Sequence, residues 1–284
     1  TAALDEGENL LAVSVDNSRN RTVYPQKADF TFYGGLYRPV RLLVAPAAHF
    51  ALDDHGGPGI RVTPRLSEDL KTAQVTVEAR VSGPASHVKF TIGNQTLDAK
   101  VLGGRAQSVF ALENVRLWDG VDDPYLYTAK AELDSGDCVE TAFGCRTIGF
   151  DPERGFLLNG RPYRLCGAAR HQDRQGLGSA LTDREHDEDM ALLREMGANT
   201  VRLAHYQHSR YFYDLCDKYG MVVWPVHRVL GPVQRDHGRW RCQRGFGGEP
   251  PSAERFVPSA GCHPPHRDGP RVYAGYGRSF RDAG

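Results

Sequence analysis

Two short apolar stretches of this sequence end in side chains that bind polar ligands. The first ends in Arg170 and His171, and the second (GANTVRLAHY, residues 197–206) carries Arg202 and His205 near its end. Imidazole and guanidinium groups donate hydrogen bonds, and an imidazole can also accept one. If the two stretches are neighbouring parallel strands, these side chains meet at one edge of the sheet, where α/β barrels build their pockets.

Helical patterns separate these strands. Thr182 followed by Glu185 predicts a capping box, after which apolar residues recur on one helical face until a glycine ends the helix. Apolar residues spaced i, i+3, i+4 and i+7 from Phe212 predict a second helix that stops at Gly220. MVVW (residues 221–224) follows as a third strand. The order β-α-β-α-β predicts parallel strands in an α/β barrel or a doubly wound sheet.

The part of the chain before these helices has the two-residue periodicity of β-strands. Residues 48–150 contain six alternating runs separated by turn residues, which is typical of an immunoglobulin-like β-sandwich. Residues 10–17 and 36–46 predict two further strands, which cannot bury a core alone and are interpreted as the end of another β-sandwich. A hairpin with Asn159 and Gly160 in its turn leads into the α/β part.

The composition changes after Trp224. Residues 225–284 hold ten Arg, no Lys and five acidic residues, although the formal net charge of the whole chain is zero. These sixty residues contain only nine Val, Leu and Phe and no Ile, too few for a packed core. The segment is predicted to be a disordered tail or the product of a disrupted reading frame. An Arg-rich RNA-binding segment is the alternative.

Charge and cysteine usage argue against several other classes. A net charge of zero gives no indication of nucleic acid or a membrane surface, and no apolar run is long enough to span a bilayer. The six cysteines lack CxxC spacing, which favours free thiols in a reducing compartment. We therefore expect a cytoplasmic location. Secretion stays open because the sequence begins at Thr1 without Met, and a truncated N-terminus is expected.

Four segments resemble glycoside hydrolase family 2, and most closely its β-galactosidase branch. They are FYGGLYRPV (32–40), LWDGVDDPYLYTAKAEL (117–133), GFLLNGRPYRLCGAARHQD (155–173) and MGANTVRLAHY…FYDLCDKYGMVVW (196–224). The resemblance implies a multidomain β plus α/β architecture of jelly-roll sugar-binding domain, immunoglobulin-like β-sandwich and (β/α)8 TIM barrel. The chain then divides into the C-terminal part of the jelly roll (1–47), the sandwich (48–150), the first βα units of the barrel (151–224) and the tail (225–284).

The resemblance also implies retaining glycoside hydrolysis. One carboxylic acid protonates the leaving oxygen, and a carboxylate roughly 5 Å away attacks the anomeric carbon. In the family both groups are glutamates on later barrel strands, the acid/base in an Asn-Glu pair. No Asn-Glu pair follows Trp224, and Glu249 and Glu254 stand in no predicted barrel strand. This member of a β-galactosidase-like family is therefore expected to lack both catalytic glutamates and to be inactive alone.

Five residues are matched to sugar-binding positions by the resemblance. Asp29 would accept hydrogen bonds from sugar hydroxyls, and His171 and His205 would bind the sugar from the ends of the first two barrel strands. Arg202 would position a catalytic carboxylate, and Asp173 would line the pocket. Each residue also has an alternative interpretation. Asp29 would be a solvated loop aspartate, and the two histidines would be hydrogen-bonded core residues or a His–His metal site. Arg202 would form a structural ion pair, and Asp173 would cap a turn.

The expected ligand is a β-galactoside or a related carbohydrate, with neither nucleic acid nor membrane as a partner. No cofactor is expected in this chain, whereas some full-length relatives use magnesium and sodium and many are homo-oligomers. Two other functions stay open. One is a non-catalytic carbohydrate-binding or interaction module built on the sandwich, and the other is a fragment of a β-glucuronidase-like enzyme.

Overall fold

A computed structural model describes residues 6–18, 31–53 and 57–225, together with three two-residue strands further on. These strands are β16 (Arg235–Asp236), β17 (Arg239–Trp240) and β18 (Arg271–Val272). β16 pairs with β17, and β18 pairs with β1 (Leu42–Leu43), both in antiparallel fashion. The prediction of a disordered or frame-disrupted tail falls almost entirely outside the described residues.

Two four-stranded antiparallel sheets form the β-sandwich. One sheet contains β2 (His49–Phe50), β3 (Ile60–Leu66), β4 (Thr72–Ser82) and β7 (Arg105–Glu113), and β4 pairs with each of the other three. The other contains β5 (His87–Ile92), β6 (Gln95–Lys100), β8 (Tyr127–Leu133) and β9 (Cys138–Phe143), in the order β6–β5–β8–β9. Alternate residues of both sheets face each other around fully buried Val75, Val77, Phe90 and Phe110. The predicted immunoglobulin-like sandwich is confirmed.

The sequence patterns missed two strands of the sandwich, β2 and β6, and placed another strand wrongly. β6 (QTLDAK) carries only two apolar residues, Leu97 and Ala99, because it is an edge strand whose side chains are almost all exposed. The predicted strand at residues 10–17 is wrong, since the structure has no strand there and Leu10 and Leu11 are 96% and 78% exposed. Of the predicted strand at 36–46, only β1 forms. An alternating sequence forms a stable strand only where a neighbouring strand pairs with its backbone and a second layer covers its apolar side chains.

A small antiparallel sheet connects the sandwich to the α/β part. It consists of β10 (Ile148–Asp151), β11 (Gly155–Leu158) and β12 (Arg161–Pro162). Asn159 and Gly160 form the β11–β12 turn with φ angles of 51° and 74°, the left-handed conformation that an Asn-Gly hairpin turn requires. The predicted hairpin is therefore confirmed.

Three parallel strands and two helices begin the barrel. The strands are β13 (Gly167–Arg170), β14 (Thr200–Leu203) and β15 (Val222–Pro225), hydrogen-bonded in that order. α1 (Asp183–Glu195) and α2 (Arg210–Tyr219) connect them and pack on one face of the sheet. The core between sheet and helices contains Met190, Leu193, Val201, Leu203, Phe212 and Cys216. No helix in the described part of the chain is long and apolar enough to cross a bilayer.

Both helices end where the sequence predicts. The backbone N–H of Thr182 donates to Glu185 Oε2 at 2.7 Å, which is one half of the predicted capping box. Gly197 and Gly220, the two predicted stops, have φ angles of 74° and 76°, which favour glycine. At Gly220 a side chain would also collide with the sandwich, because an added Cβ would lie 2.1 Å from the carbonyl oxygen of Gly120.

A buried polar contact joins the sandwich to α2. The indole Nε1 of Trp118 donates to the carbonyl oxygen of Asp217 at 2.8 Å, and the guanidinium of Arg146 stacks on the same indole at 4.2 Å. Arg146 Nη2 also pairs with Asp217 Oδ1 at 3.2 Å, and the two side chains are only 9% and 14% exposed. Since both charges are largely withdrawn from water, each depends on the other. The contact holds the last turn of α2 against the sandwich.

Candidate functional site

Three of the predicted residues lie together at the carboxyl ends of β13 and β14. His171 directly follows β13, His205 lies two residues after β14, and their ring centroids are 5.3 Å apart in an edge-to-face arrangement. Arg202 Nη2 lies 3.3 Å from His205 Nδ1. Because a guanidinium can only donate, this nitrogen of His205 accepts and the proton of the neutral ring is on Nε2. Parallel pairing of the two strands creates this juxtaposition.

Tyr206 extends the group of polar rings. Its ring centroid lies 6.2 Å from that of His171, and its hydroxyl accepts a hydrogen bond from the backbone N–H of Gln172 at 3.0 Å. Burial raises the pKa of the Tyr206 phenol, and the negative charge of Asp173 raises it further. The phenol therefore stays protonated at neutral pH. The two imidazoles and the phenol together can donate and accept hydrogen bonds at this edge, as a polyhydroxylated ligand requires.

The two predicted carboxylates differ in what the structure says of them. Asp173 is exposed and lies near Tyr206, at the same edge as the histidines. Asp29 lies outside the described residues, as do Glu249 and Glu254. The substrate-binding role of all five predicted residues stays a prediction.

The first segment of the chain reaches the same edge of the sheet. Arg38 Nη2 donates to the carbonyl oxygen of Gln207, in the turn that carries His205 and Tyr206. The ring of Tyr33 packs so closely on Gly178 that an added Cβ there would lie 3.0 Å from a ring carbon. Residues that follow Asp29 in the chain therefore lie near the barrel edge.

A metal ion bound by the two histidines would need at least a third protein ligand. In the part of the chain that the structure describes, no group of three or more His, Cys, Asp or Glu side chains could hold a metal. His205 Nδ1 already faces the positive guanidinium of Arg202. The arrangement fits hydrogen bonding to a ligand better than metal coordination.

A buried arginine supports this edge from behind. Arg170, the last residue of β13, donates from Nε and Nη2 to Asp189 Oδ2 at 2.9 and 2.7 Å. Its Nη2 also donates to His186 Nδ1 at 2.8 Å, and its Nη1 donates to His208 Nδ1 at 3.1 Å. The guanidinium stacks on Phe212 at 3.9 Å. One planar group therefore joins α1, α2 and the turn after β14.

The two histidines on this guanidinium are held neutral. Burial, together with the adjacent positive charge of Arg170, lowers the pKa of both His186 and His208 to about 4. Each ring is only 1% exposed. Proton uptake would place a second positive charge beside Arg170, away from water. Arg170 therefore keeps its hydrogen bonds to both rings only while both rings are neutral.

His186, Asp189 and His208 were missed by the sequence analysis. For His186 a signal was present, because it precedes Met190 by four residues and Leu193 by seven and therefore lies on the buried face of α1. Asp189 and His208 have no comparable periodicity. Only the position of Arg170 in the folded chain brings these residues together.

Two domain families match consecutive parts of the chain. Residues 58–150 match "Glycosyl hydrolases family 2", and residues 152–230 match "Glycosyl hydrolases family 2, TIM barrel domain". The first match covers the two sheets of the sandwich from β3 onwards, together with the first three residues of β10. The second covers the parallel sheet, both helices and all the polar residues described above at the ends of β13 and β14.

Individual proteins are similar over most of this chain. A β-glucuronidase of Bacteroides fragilis is 33% identical over 245 residues, which cover 79% of this chain and 35% of that protein. A β-galactosidase of Rhizobium meliloti is 31% identical over 247 residues, which cover 79% of this chain and 31% of that protein. The crystal structure of an FMN-binding β-glucuronidase from Facaelibacterium prausnitzii L2-6 matches with a TM-score of 0.66 and 38% identity, over 73% of this chain and 33% of that one. The chain spans about a third of the length of these relatives.

Proposed function

Because the chain belongs to glycoside hydrolase family 2, we propose that it supplies the first part of the sugar-binding pocket of a β-glycosidase. The observation that carries the proposal is the pair of imidazoles at the ends of β13 and β14, 5.3 Å apart. A neutral imidazole has one donor and one acceptor, and His205 offers a ligand its Nε2–H because its Nδ1 already accepts from Arg202. His171 and His205 would bind neighbouring hydroxyls of the glycone, the sugar on the non-reducing side of the cleaved bond.

The neighbouring residues support this role in different ways. Arg202 fixes the orientation of the His205 ring through its contact with Nδ1, so that Nε2 carries the proton toward a ligand. Asp173 and the phenol of Tyr206 add an acceptor and a donor at the same edge. Asp29 would reach the sugar from the first segment, which already contacts this edge through Arg38.

Two glycones remain candidates for this pocket. Sequence motifs favour a β-galactoside. A β-glucuronide is the second candidate. The β-glucuronidase of Bacteroides fragilis is 33% identical to this chain, and the β-galactosidase of Rhizobium meliloti is 31% identical. The two sugars differ at two carbons: the C4 hydroxyl has the opposite configuration, and C6 is a hydroxymethyl group in the galactoside but a carboxylate in the glucuronide. Direct comparison of the two glycosides therefore decides between them.

We further propose that this chain binds its glycoside without hydrolysing it. Retaining hydrolysis needs an acid and a nucleophilic carboxylate on either side of the glycosidic bond. The sequence after Trp224 contains no Asn-Glu pair, and Glu249 and Glu254 lie among glycines, prolines and arginines. Binding groups alone stabilise substrate and transition state alike and do not accelerate the reaction.

The test is a titration of the full chain with p-nitrophenyl β-D-galactoside and p-nitrophenyl β-D-glucuronide, followed by calorimetry and by release of p-nitrophenol. We expect weak binding of one glycoside, no turnover above a mock purification, and a loss of at least about tenfold in affinity in His171→Ala and His205→Ala. His87→Ala, which changes an exposed histidine of the sandwich, is the control. Unchanged affinity in both pocket variants would instead support a non-catalytic binding module on the sandwich. Turnover would disprove the proposed lack of hydrolysis.

A further inference from the structure

The segment that presents His205 and Tyr206 is a short turn between β14 and α2, residues 204–209, called here the pocket turn. Its first residue is fixed at both backbone groups. The N–H of Ala204 donates to the carbonyl oxygen of Arg170 at 2.9 Å, and its own carbonyl oxygen lies 2.9 Å from His208 Nε2. The position of the next residue, His205, depends on both of these bonds.

The partners of His208 determine its protonation and its role. Its Nδ1 faces Arg170 Nη1 at 3.1 Å, and since a guanidinium only donates, Nδ1 must accept. The proton of the neutral ring is therefore on Nε2, which donates to the Ala204 carbonyl oxygen. In this single tautomer the ring connects the last residue of β13 with the first residue of the pocket turn.

The other end of this connection is rigid. Arg170 is anchored by two hydrogen bonds to Asp189 of α1 and by stacking on Phe212 of α2. Its guanidinium can therefore not follow the ring if the pocket turn moves. A planar group with several bonds in a fixed geometry loses little entropy for each contact that it makes.

We infer that His208 is a positioning residue of the sugar pocket: its buried ring transmits the fixed position of Arg170 to the Ala204 carbonyl and thereby sets the place of His205. The inference rests on the proposed function, since positioning matters only if His205 binds the sugar. His208 itself is 1% exposed and lies behind the pocket turn. Its effect on a ligand must therefore pass through His205.

Three substitutions separate positioning from general stability. His208→Gln keeps an amide oxygen that can accept from Arg170 and an amide nitrogen that can donate to Ala204. His208→Leu fills a similar volume and makes neither bond. His186→Leu is the matched control, because His186 is equally buried and accepts from the same guanidinium but has no bond to the pocket turn. Circular dichroism of each variant confirms that the helices have formed.

The first measurement is affinity of the full chain for p-nitrophenyl β-D-galactoside and p-nitrophenyl β-D-glucuronide. Two lost hydrogen bonds predict that His208→Leu weakens binding about tenfold, while His208→Gln and His186→Leu stay within about threefold of the original chain. Equal affinity in His208→Leu and the original chain would overturn the inference. Equal losses in His208→Leu and His186→Leu would also overturn it, because the effect would then be general loosening.

The second measurement needs no ligand and separates this inference from the proposed function. In the chain with ¹⁵N-labelled histidine, we expect the ring signals of His208 to show an unprotonated Nδ1 and a protonated Nε2. The signals of His205 should change in His208→Leu and stay unchanged in His186→Leu. If the original chain binds neither glycoside, the proposed function fails, and these spectra still decide the inference. His205 signals that are unaffected by His208→Leu would refute it.

Discussion

The neutral histidines on Arg170 predict that mild acid destabilises the barrel part of this chain. The pKa of His186 and of His208 is lowered from 6.5 to about 4 by burial and by the guanidinium. Between these values the unfolded chain binds more protons than the folded chain, so the free energy of unfolding falls as the pH falls. The loss begins near the unfolded value of 6.5 and is complete near 4. Above about pH 7.5 both rings are neutral in both states, and the contribution is constant.

The size of the effect follows from the two pKa values. One pH unit of difference between folded and unfolded pKa corresponds to about 1.4 kcal/mol. On lowering the pH from about 7.5 to about 5, each ring reduces the free energy of unfolding by about 2 kcal/mol, and the two together by about 4 kcal/mol. This is a large part of the free energy of unfolding of a typical domain, which is roughly 5–15 kcal/mol. Arg170 lowers the pKa of both rings, and the carboxylates Asp183, Glu185 and Asp189 act in the opposite direction on the pKa of His186.

Urea unfolding of the full chain at a series of pH values measures this loss. A double variant, His186→Gln with His208→Gln, removes both titrating rings and should flatten the dependence between about pH 7.5 and 5. His87→Gln, in an exposed position of the sandwich, should keep the full dependence. The pKa of Glu185 is lowered to about 2 by hydrogen bonds from Thr182, so its stabilising effect is lost only below the unfolded pKa of 4.5, outside this range. An unchanged slope in the double variant would refute the reasoning.

Two further predictions concern the joint between sandwich and barrel. Replacing Arg146 with Met removes the salt bridge of the largely buried Asp217 and should cost about 3–5 kcal/mol of stability, whereas adding Asp217→Asn to the same chain should recover much of it, as measured by urea unfolding. Gly220→Ala should destabilise the chain far more than Gly197→Ala in the same assay, although both glycines have left-handed φ angles. Only at Gly220 would the new Cβ collide with a backbone atom, 2.1 Å from Gly120 O, while the space around Gly197 is open. A loss of about 1 kcal/mol at both positions would contradict the importance of the close approach.

Local signals in the sequence predicted much of this fold. The capping residues of α1, the glycine stops of α1 and α2, the Asn-Gly turn and the alternation of the inner sandwich strands each report short-range chemistry, and the structure has them. β6 was missed because an exposed edge strand needs few apolar side chains. The prediction of a strand at residues 10–17 was wrong for the opposite reason. Its apolar side chains alternate, but they pack against no second layer in the described part of the chain.

The candidate site was predictable only in part. Polar residues at the ends of two parallel strands indicated His171, Arg202 and His205, and the structure brings their side chains together. The support behind them depends on contacts between residues that are 16 to 38 positions apart in the chain, such as those of Arg170 with His186 and His208. Sequence spacing carries no information about such contacts, because the register of the sheet and the packing of the helices set them.

Arg170 and Arg202 show how that register decides the chemistry of an arginine. In the parallel pairing of β13 with β14, Arg170 is in register with Leu203, and Arg202 with Ala169. Since successive residues of a strand face opposite sides, Arg170 shares the side of the buried Leu203, toward the helices, whereas Arg202 is exposed on the other side. A charge between sheet and helices must be paired and hydrogen-bonded, which explains Asp189, His186 and His208 around Arg170. A lysine in its place would bring a compact ammonium with three donors instead of a planar fork with five, and could not hold all three partners and the ring of Phe212 at once.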